Sequence, residues 1–396
     1  MLKKLNRAEN RFTLSEWSGA VGDLGTLLPL AFALVIFNGY SSQRLFFLWG
    51  IVYLISGWYY RVPVAVQPLK AMAVIAFAGG YSVGQLSTTA VFYGILLIVL
   101  AGTGVIRWLE RWFTPALVRG IQLGIGFILL QKAVEMSLKN GLFLGYQPVS
   151  RGLNFLLLFA LLLVLGIFQF QKNKPISVGI IFISIALSLA FGISTPESWS
   201  QGNIAVFSSP DWRFFLPAVM FLMIPQLPLT LGNAVFAAND ACHTFWKERS
   251  ERVNPTRFGL SIGISNVVIG LLGGFPICHG AGGIAAHAKF GGKTGGTTMI
   301  LGGILILVSL VKPLSNFLFL IPIPVLGALL LLTSWSLIVL IQRLQTKSEI
   351  LIALIVGLLS FSTHNLSIAL IAGFLLEQGL IRAAKWRVAL KGENHD

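Results

Sequence analysis

The stretch GGFPICHGAGGIAAHAKFGGKTGG, residues 273–296, carries the feature that sets the fold. Its first part, Gly273 to Ala286, has no charge, yet it is crowded with glycine and holds Pro276, Cys278 and His279. A uniform transmembrane helix has little use for that mixture. Small and helix-breaking residues let a chain run extended and then begin a helix within apolar surroundings. Such backbone persists at membrane depth only where protein buries it or it lines a cavity. A helix that begins there aims unpaired N–H groups and the positive end of its dipole into the cavity, which suits an anion.

Around this stretch the chain is apolar: 396 residues, 55% hydrophobic and 11% charged, with a mean hydropathy of +0.81. That is too little polar surface to cover a soluble globule, so the expected class is an all-α polytopic membrane protein partnered by the lipid bilayer. The net charge of +15 lies in short clusters between apolar runs rather than on one face or tail, which argues against nucleic acid. Cys242 and Cys278 give neither a disulfide framework nor a CxxC pair. Each precedes a histidine (His243, His279), but lone buried thiols are the commoner use, and no metal or cofactor is expected. The basic start MLKKLNRAENRF leads into a span-length apolar run without an A-x-A cleavage pattern, so no leader is expected to be removed.

Apolar runs near the roughly 20 residues needed to cross a bilayer fall at 16–38, 44–60, 63–79, 86–106, 115–133, 153–170 and 176–194, then at 213–236, 256–272, 274–288, 296–312, 317–341, 348–362 and 366–382. With the N-terminus cytoplasmic, Arg44, Lys132, Lys139, Arg151, Arg213 and Lys312 fall outside and Lys70 and Arg119 within spans. All other Lys and Arg fall inside, which is the expected bias and puts both termini in the cytoplasm. Fourteen spans divide into two sevens, and an odd-numbered half must insert upside down relative to its partner, as in inverted-repeat transporters. The expected organisation is a first repeat over 1–194, an extracytoplasmic loop over 195–212, and an inverted repeat with a short tail over 213–396. The third span, VPVAVQPLKAMAVIAF (62–77), and the tenth both open extended and turn helical about halfway. Discontinuous helices at matching positions of two halves point to a binding site near the midplane.

In the third span, Gln67-Pro68 reads as a helix start, with Pro68 at the first helical position and the N–H groups of Leu69 and Lys70 free. Gln67 offers an amide donor. Lys70 is either a counter-charge for an anion or the partner of a carboxylate. In the tenth span His279, Gly280, Ala281, Gly282 and Gly283 form the mirror-image start, glycine allowing close backbone approach. Tight packing through small residues is the competing use. Asp23 is the clearest intramembrane carboxylate, and it could pair with Lys70, accept a coupling proton, help hold a sodium ion, or cap a broken helix. Thr26, Gln226, Thr230 and Asn233 add uncharged polar groups, Asn233 being the preferred ligand. GGKTGG (291–296) lacks the glycine a phosphate loop needs at 287, where His287 stands, and reads as a cytoplasmic loop. His364 reads as a solvated turn residue. HExxH is absent, and no enzyme is expected.

Four motifs, SGAVGDLGTLLPL (18–30), VPVAVQPLKAMA (62–73), IPQLPLTLGNAVFA (224–237) and FPICHGAGGIAAHAKFGGKTGG (275–296), resemble the molybdate transporter family, a branch of the sulfate permease superfamily without the C-terminal STAS domain. The resemblance covers most of the chain. It departs at Ala288-Lys289, where an aromatic residue and Arg are usual, and at Gly292-Lys293, where Ala and Arg are usual. The resemblance implies a core of spans 1–4 and 8–11, a gate of spans 5–7 and 12–14, substrate between the third and tenth half-helices, and no STAS domain after the last span.

The function expected is import of a tetrahedral oxyanion, molybdate first and sulfate next, across a bacterial plasma membrane. A proton or sodium coupling ion and a homodimer stay open. The alternatives are a nucleobase permease of the same architecture, an anion channel and a non-transporting scaffold. The nucleobase reading lacks a carboxylate in the eighth or tenth span before Asp240. Cysteines introduced in 195–211 and in 239–255 are expected to react with impermeant reagents from opposite sides, the first from outside. Reaction from one side only contradicts fourteen spans.

Overall fold

The computed structural model describes residues 9–109, 112–139, 142–143, 151–169, 176–193, 207–311 and 319–392. The first part forms α1 (Leu14–Val21), α2 (Leu24–Asn38), α3 (Ser42–Tyr60), β1 (Gln67–Pro68), α4 (Lys70–Gly79), α5 (Val83–Gly102), α6 (Val105–Leu109), α7 (Pro115–Lys139), α8 (Arg151–Gln169) and α9 (Ile176–Ala190). The second holds α10 (Trp212–Ser250), α11 (Pro255–Leu271), β2 (Ile277–Cys278), α12 (Ala281–Lys289), α13 (Gly296–Leu310), α14 (Ile323–Ile338), α15 (Lys347–Thr363) and α16 (Leu366–Gly392). Lys3, Lys4, Arg7, Lys172, Lys174, Lys312 and most of the 195–212 connection lie outside the described residues.

Each apolar segment read from the sequence contains one of these helices. By length and composition alone α5, α7, α10, α14 and α16 are long and apolar enough to cross a bilayer, and α1 with α2 makes a further span bent by 42°. The helices α4 and α12 fall short because extended backbone makes up the rest of their segments. Leu156, Phe159 and Leu163 of α8 and Leu351, Leu354 and Leu358 of α15 are exposed at helical spacing. Such outward apolar stripes suit lipid and not water.

The helices pack as two bodies. In one, α3 lies along α13 and α5 along α11, with α1 against α13 and α12 against the end of α10. In the other, α7 packs on α14 and α15, α15 on α16, and α14 on α8 and α9. Glycines set the closest approaches of the first body. A Cβ on Gly94 of α5 would lie 2.6 Å from the Gly263 carbonyl oxygen of α11, and one on Gly302 of α13 equally near the Gly50 carbonyl oxygen of α3. Second segment on eleventh and fourth on ninth is a pairing that maps onto itself when the two expected halves are exchanged.

The first and eighth segments, alike in composition, differ in form. The first breaks at Gly22–Asp23. The eighth is one continuous helix that absorbs Pro217, Pro225 and Pro228 by widening to π turns over Ala218–Met223 and Thr230–Phe236. Its α-helical part ends at Trp246, where Lys247 takes a positive φ, and a 3-10 turn follows to Ser250, so the inner connection expected over 239–255 shrinks to the few residues before Asn254, which caps α11 through the Arg257 N–H. GGKTGG is a loop closed on the chain's own carboxylate. Buried Glu16 accepts from the N–H groups of Lys293 (3.1 Å) and Thr294 (3.2 Å) and from the hydroxyls of Thr294 and Thr297. These bonds fasten α1 to the start of α13.

The two extended segments are pinned from the sides. Asn266 of α11 donates to the Ile277 carbonyl (3.0 Å) and accepts from the Ile277 N–H (2.7 Å), doing the work of a neighbouring strand. Trp49 of α3 donates to the Phe275 carbonyl (3.0 Å) and Ser56 to the Val64 carbonyl (3.2 Å). Asn266→Ala leaves a buried donor and acceptor orphaned at about 1–3 kcal/mol each. A lowered melting temperature in detergent is expected, larger than for Ser56→Ala.

Candidate functional site

The site begins where two short strands cross. β1 and β2 pair antiparallel, Gln67 opposite Cys278 and Pro68 opposite Ile277, and the Leu69 N–H donates to the Pro276 carbonyl at 3.1 Å. Each strand then turns into a half-helix, α4 after Leu69 and α12 after Gly280. Pro68 therefore sits in the strand and not at the first helical position, and the Leu69 N–H is not free. Proline ends the pairing on its own side because it has no N–H to give, and the helix starts two residues later. The first-turn donors left by this geometry are Lys70 and Ala71 in α4 and Ala281 and Gly282 in α12. Met72, the third in α4, gives its N–H to the Gln226 side-chain oxygen at 3.1 Å.

Behind the α12 start lies Asp23, fully buried at the α1–α2 break. Its carboxylate accepts from the Tyr53 hydroxyl of α3 (2.6 Å) and from the Gln67 amide of β1. His287, one turn beyond Gly283 on α12, brings Nε2 to 3.9 Å from Asp23 Oδ2. Lys70 is absent from this group and makes no hydrogen bond or ion pair among the described residues. The pairing of Asp23 with Lys70 considered from sequence is thus replaced by one with Tyr53, Gln67 and His287. Lys70 stands half-buried at the α4 N-terminus as an unpaired cation.

The remaining candidates sort by what they touch. His279 is a strut: Nδ1 donates to the Ala65 carbonyl and Nε2 accepts from the Ser261 hydroxyl, both at 2.9 Å, so neither nitrogen is left for a ligand. The tautomer follows because a carbonyl can only accept. Gln226 and Thr230 brace α4, with Tyr93 donating to Thr230 (2.6 Å) and the Gln226 amide donating to Thr230 (3.1 Å). Gly280 and Gly283 are buried against Gln67 and Asp23; a Cβ on Gly283 would lie 2.8 Å from Asp23 Oδ1 and 2.7 Å from Gln67 Nε2. Gly282 is different, being exposed with no atom within 4 Å of the place a Cβ would take. Thr26 and Asn233 are half-buried and make no side-chain hydrogen bond among the described residues.

Sequence reasoning missed Tyr53, Asn266 and His287. The first two look like ordinary helix residues, but His287 stands four residues after Gly283, on the face that already had to meet the first span.

Two half-helices that start from one antiparallel strand pair, inside a bundle of apolar helices, define a membrane protein with discontinuous spans. The family model described as "Molybdate transporter of MFS superfamily" matches residues 15–129 and 218–337, and the chain belongs to that family. Molybdate transporter 1 of Arabidopsis thaliana is 29% identical over 92% of this chain and 88% of its own length. Molybdate transporter 1 of Chlamydomonas reinhardtii is 25% identical over 92% and 91%. Among solved structures, the transmembrane domain of the cyanobacterial bicarbonate transporter BicA superposes with a TM-score of 0.68 at 19% identity, covering 92% of this chain and 98% of that one.

The contrast between neighbouring glycines gives a test. Gly283→Ala forces Asp23, Gln67 or Ala65 aside, an overpacking that costs about 1–3 kcal/mol. Gly282→Ala meets nothing. A clear drop in melting temperature is expected for the first and none for the second.

Proposed function

We propose that the protein is a secondary transporter that imports a tetrahedral oxyanion, molybdate in the first place, by alternating access. The anion binds between the N-termini of α4 and α12, held by the N–H groups of Ala281, Gly282, Lys70 and Ala71 and by the Lys70 ammonium. The observation that carries this reading is the open position at Gly282, beside a helix start whose first two donors have no partner among the described residues. Helix N-termini favour anions through those donors and through the dipole. An unpaired lysine at the opposite start adds the charge that a dianion needs. The names of the Arabidopsis and Chlamydomonas relatives support molybdate over other oxyanions.

Asn233 and Thr26 complete the reading as side chains with spare hydrogen-bonding capacity near the half-helices' segments, while Gln67, Gln226, Thr230 and His279 hold the backbone that binds. Fourteen spans, arranged as inverted repeats over 1–194 and 213–396 with both termini cytoplasmic, supply the two-fold relation that alternating access uses. The body of α7–α9 and α14–α16 acts as the gate against which the other rocks. Movement of one body past the other exposes the same site to each side in turn.

Calorimetry on purified protein with molybdate, tungstate, sulfate and uracil side by side tests this. Molybdate is expected to bind and uracil not. Gly282→Val is expected to abolish binding at unchanged monodispersity, because its side chain fills open space rather than the packed side. Lys70→Met is expected to weaken binding about 10- to 100-fold, the worth of one charge-assisted hydrogen bond. Wild-type affinity in the valine variant would place the anion elsewhere, and uracil binding without molybdate would make the protein a nucleobase permease.

A further inference from the structure

His287 is the buried group that anion binding leaves unexplained. Its ring is fully buried and Nδ1 lies 2.9 Å from the Gly19 carbonyl, which can only accept, so Nδ1 carries the hydrogen. In the neutral ring Nε2 is then a bare lone pair, and it has no hydrogen-bond partner. What it faces, at 3.9 Å, is Asp23 Oδ2. Both Asp23 oxygens already accept, from Tyr53 and from Gln67. With the ring neutral, lone pair meets carboxylate and the pair carries one uncompensated negative charge. One proton on Nε2 turns that repulsion into an ion pair.

We infer that Asp23 and His287 form a one-proton binding site whose loading governs anion binding at the α12 N-terminus. The proton comes from solvent and settles on Nε2; no other bond forms or breaks. Asp23 lies directly behind the first turn of α12, against Gly283. Without the proton a full negative charge sits behind the donors that must hold a dianion. With it, the Asp23–His287 pair is neutral and the donors and Lys70 act on the anion unopposed. Proton and oxyanion therefore bind with positive coupling, each raising the affinity for the other, and the transporter is a proton symporter. The proton site stands on the geometry alone, whereas the symport role rests on the oxyanion reading above.

Of the other ionisable groups around the pair, the Cys278 thiol of β2 is buried within electrostatic reach of Asp23, Tyr53 and Lys70, and those on the remaining elements are engaged elsewhere. Glu16 on α1 is enclosed by Thr294, Thr297 and the Lys293 N–H. On α10, Asp240 takes the Asn239 amide and His243 lies against the Val253 carbonyl, and the Cys242 thiol is buried. Tyr53 of α3 faces the His287 ring edge-on at 6.5 Å and spends its hydroxyl on Asp23. Lys289, at the end of α12, lies over the Phe290 ring. A sodium ion would want oxygen ligands around the carboxylate, and an imidazole takes one side of it.

Two measurements decide this. Infrared pH-difference spectra of the purified, substrate-free protein between about pH 5 and 8, where histidine titrates, are expected to show an imidazole band that is missing in His287→Gln and altered in Asp23→Asn. An identical band in Asp23→Asn overturns the shared proton. Glutamine keeps an N–H for the Gly19 carbonyl, and asparagine keeps an acceptor for Tyr53, so either variant serves if the other misfolds. In proteoliposomes an inward proton gradient is expected to drive molybdate accumulation by wild type but not by His287→Gln, which still exchanges molybdate. Wild-type affinity should fall by up to about tenfold per pH unit as the proton is lost, and that dependence should vanish in His287→Gln. Accumulation by His287→Gln equal to wild type, or accumulation driven by sodium at fixed pH, overturns the symport role. A wild type that binds no molybdate removes the symport role with the transport reading, and the infrared spectra still decide whether the pair holds a proton.

Discussion

Backbone N–H and C=O groups in an apolar medium must find partners inside the protein, and two non-helical segments deep in a lipid-facing bundle make that demand acute. Each of the two supplies part of the other's solution: β1 pairs with β2, and Leu69 donates to Pro276. What the strand pair cannot satisfy is met by Asn266, Trp49 and Ser56 from the flanking helices and by His279 from the second segment itself. Removing the extended backbone would remove the helix starts, and the site consists of helix starts. The apolar bundle, the clamps and the binding geometry are thus consequences of one accounting of hydrogen bonds.

Asp23 is the second fixed point. A buried carboxylate is tolerable only when hydrogen-bonded and paired, and its partners come from α3, β1 and α12. One side chain at the α1–α2 break therefore ties the broken first segment to both half-helices. Lys70 is spared from structural duty by the same arrangement. A cation without a protein partner among the described residues, beside a helix N-terminus, is the charge that the proposed anion would meet.

Function follows from division of labour within one short stretch. His279, Gly280 and Gly283 face the protein, whereas Gly282 faces open space. Three glycines and a histidine that look interchangeable in the sequence thus separate into one open position and its supports. The same holds in α4, where Gln226 takes the Met72 N–H and the Lys70 and Ala71 N–H groups have no partner among the described residues.

The sequence by itself determined the class, the placement of the helices and the two half-helices, because apolar run length and runs of glycine and proline act locally. It also pointed to Asp23, since a carboxylate in an apolar span stands out wherever it lies. Only the tertiary structure decided that Asp23 meets Tyr53, Gln67 and His287 rather than Lys70, that His279 braces Ala65 and Ser261, and that composition alike in the first and eighth segments gives a break in one and π turns in the other. These outcomes depend on which side chains arrive opposite one another from residues far apart in the chain. Partner choice among buried polar groups is a property of packing, and no local pattern records it.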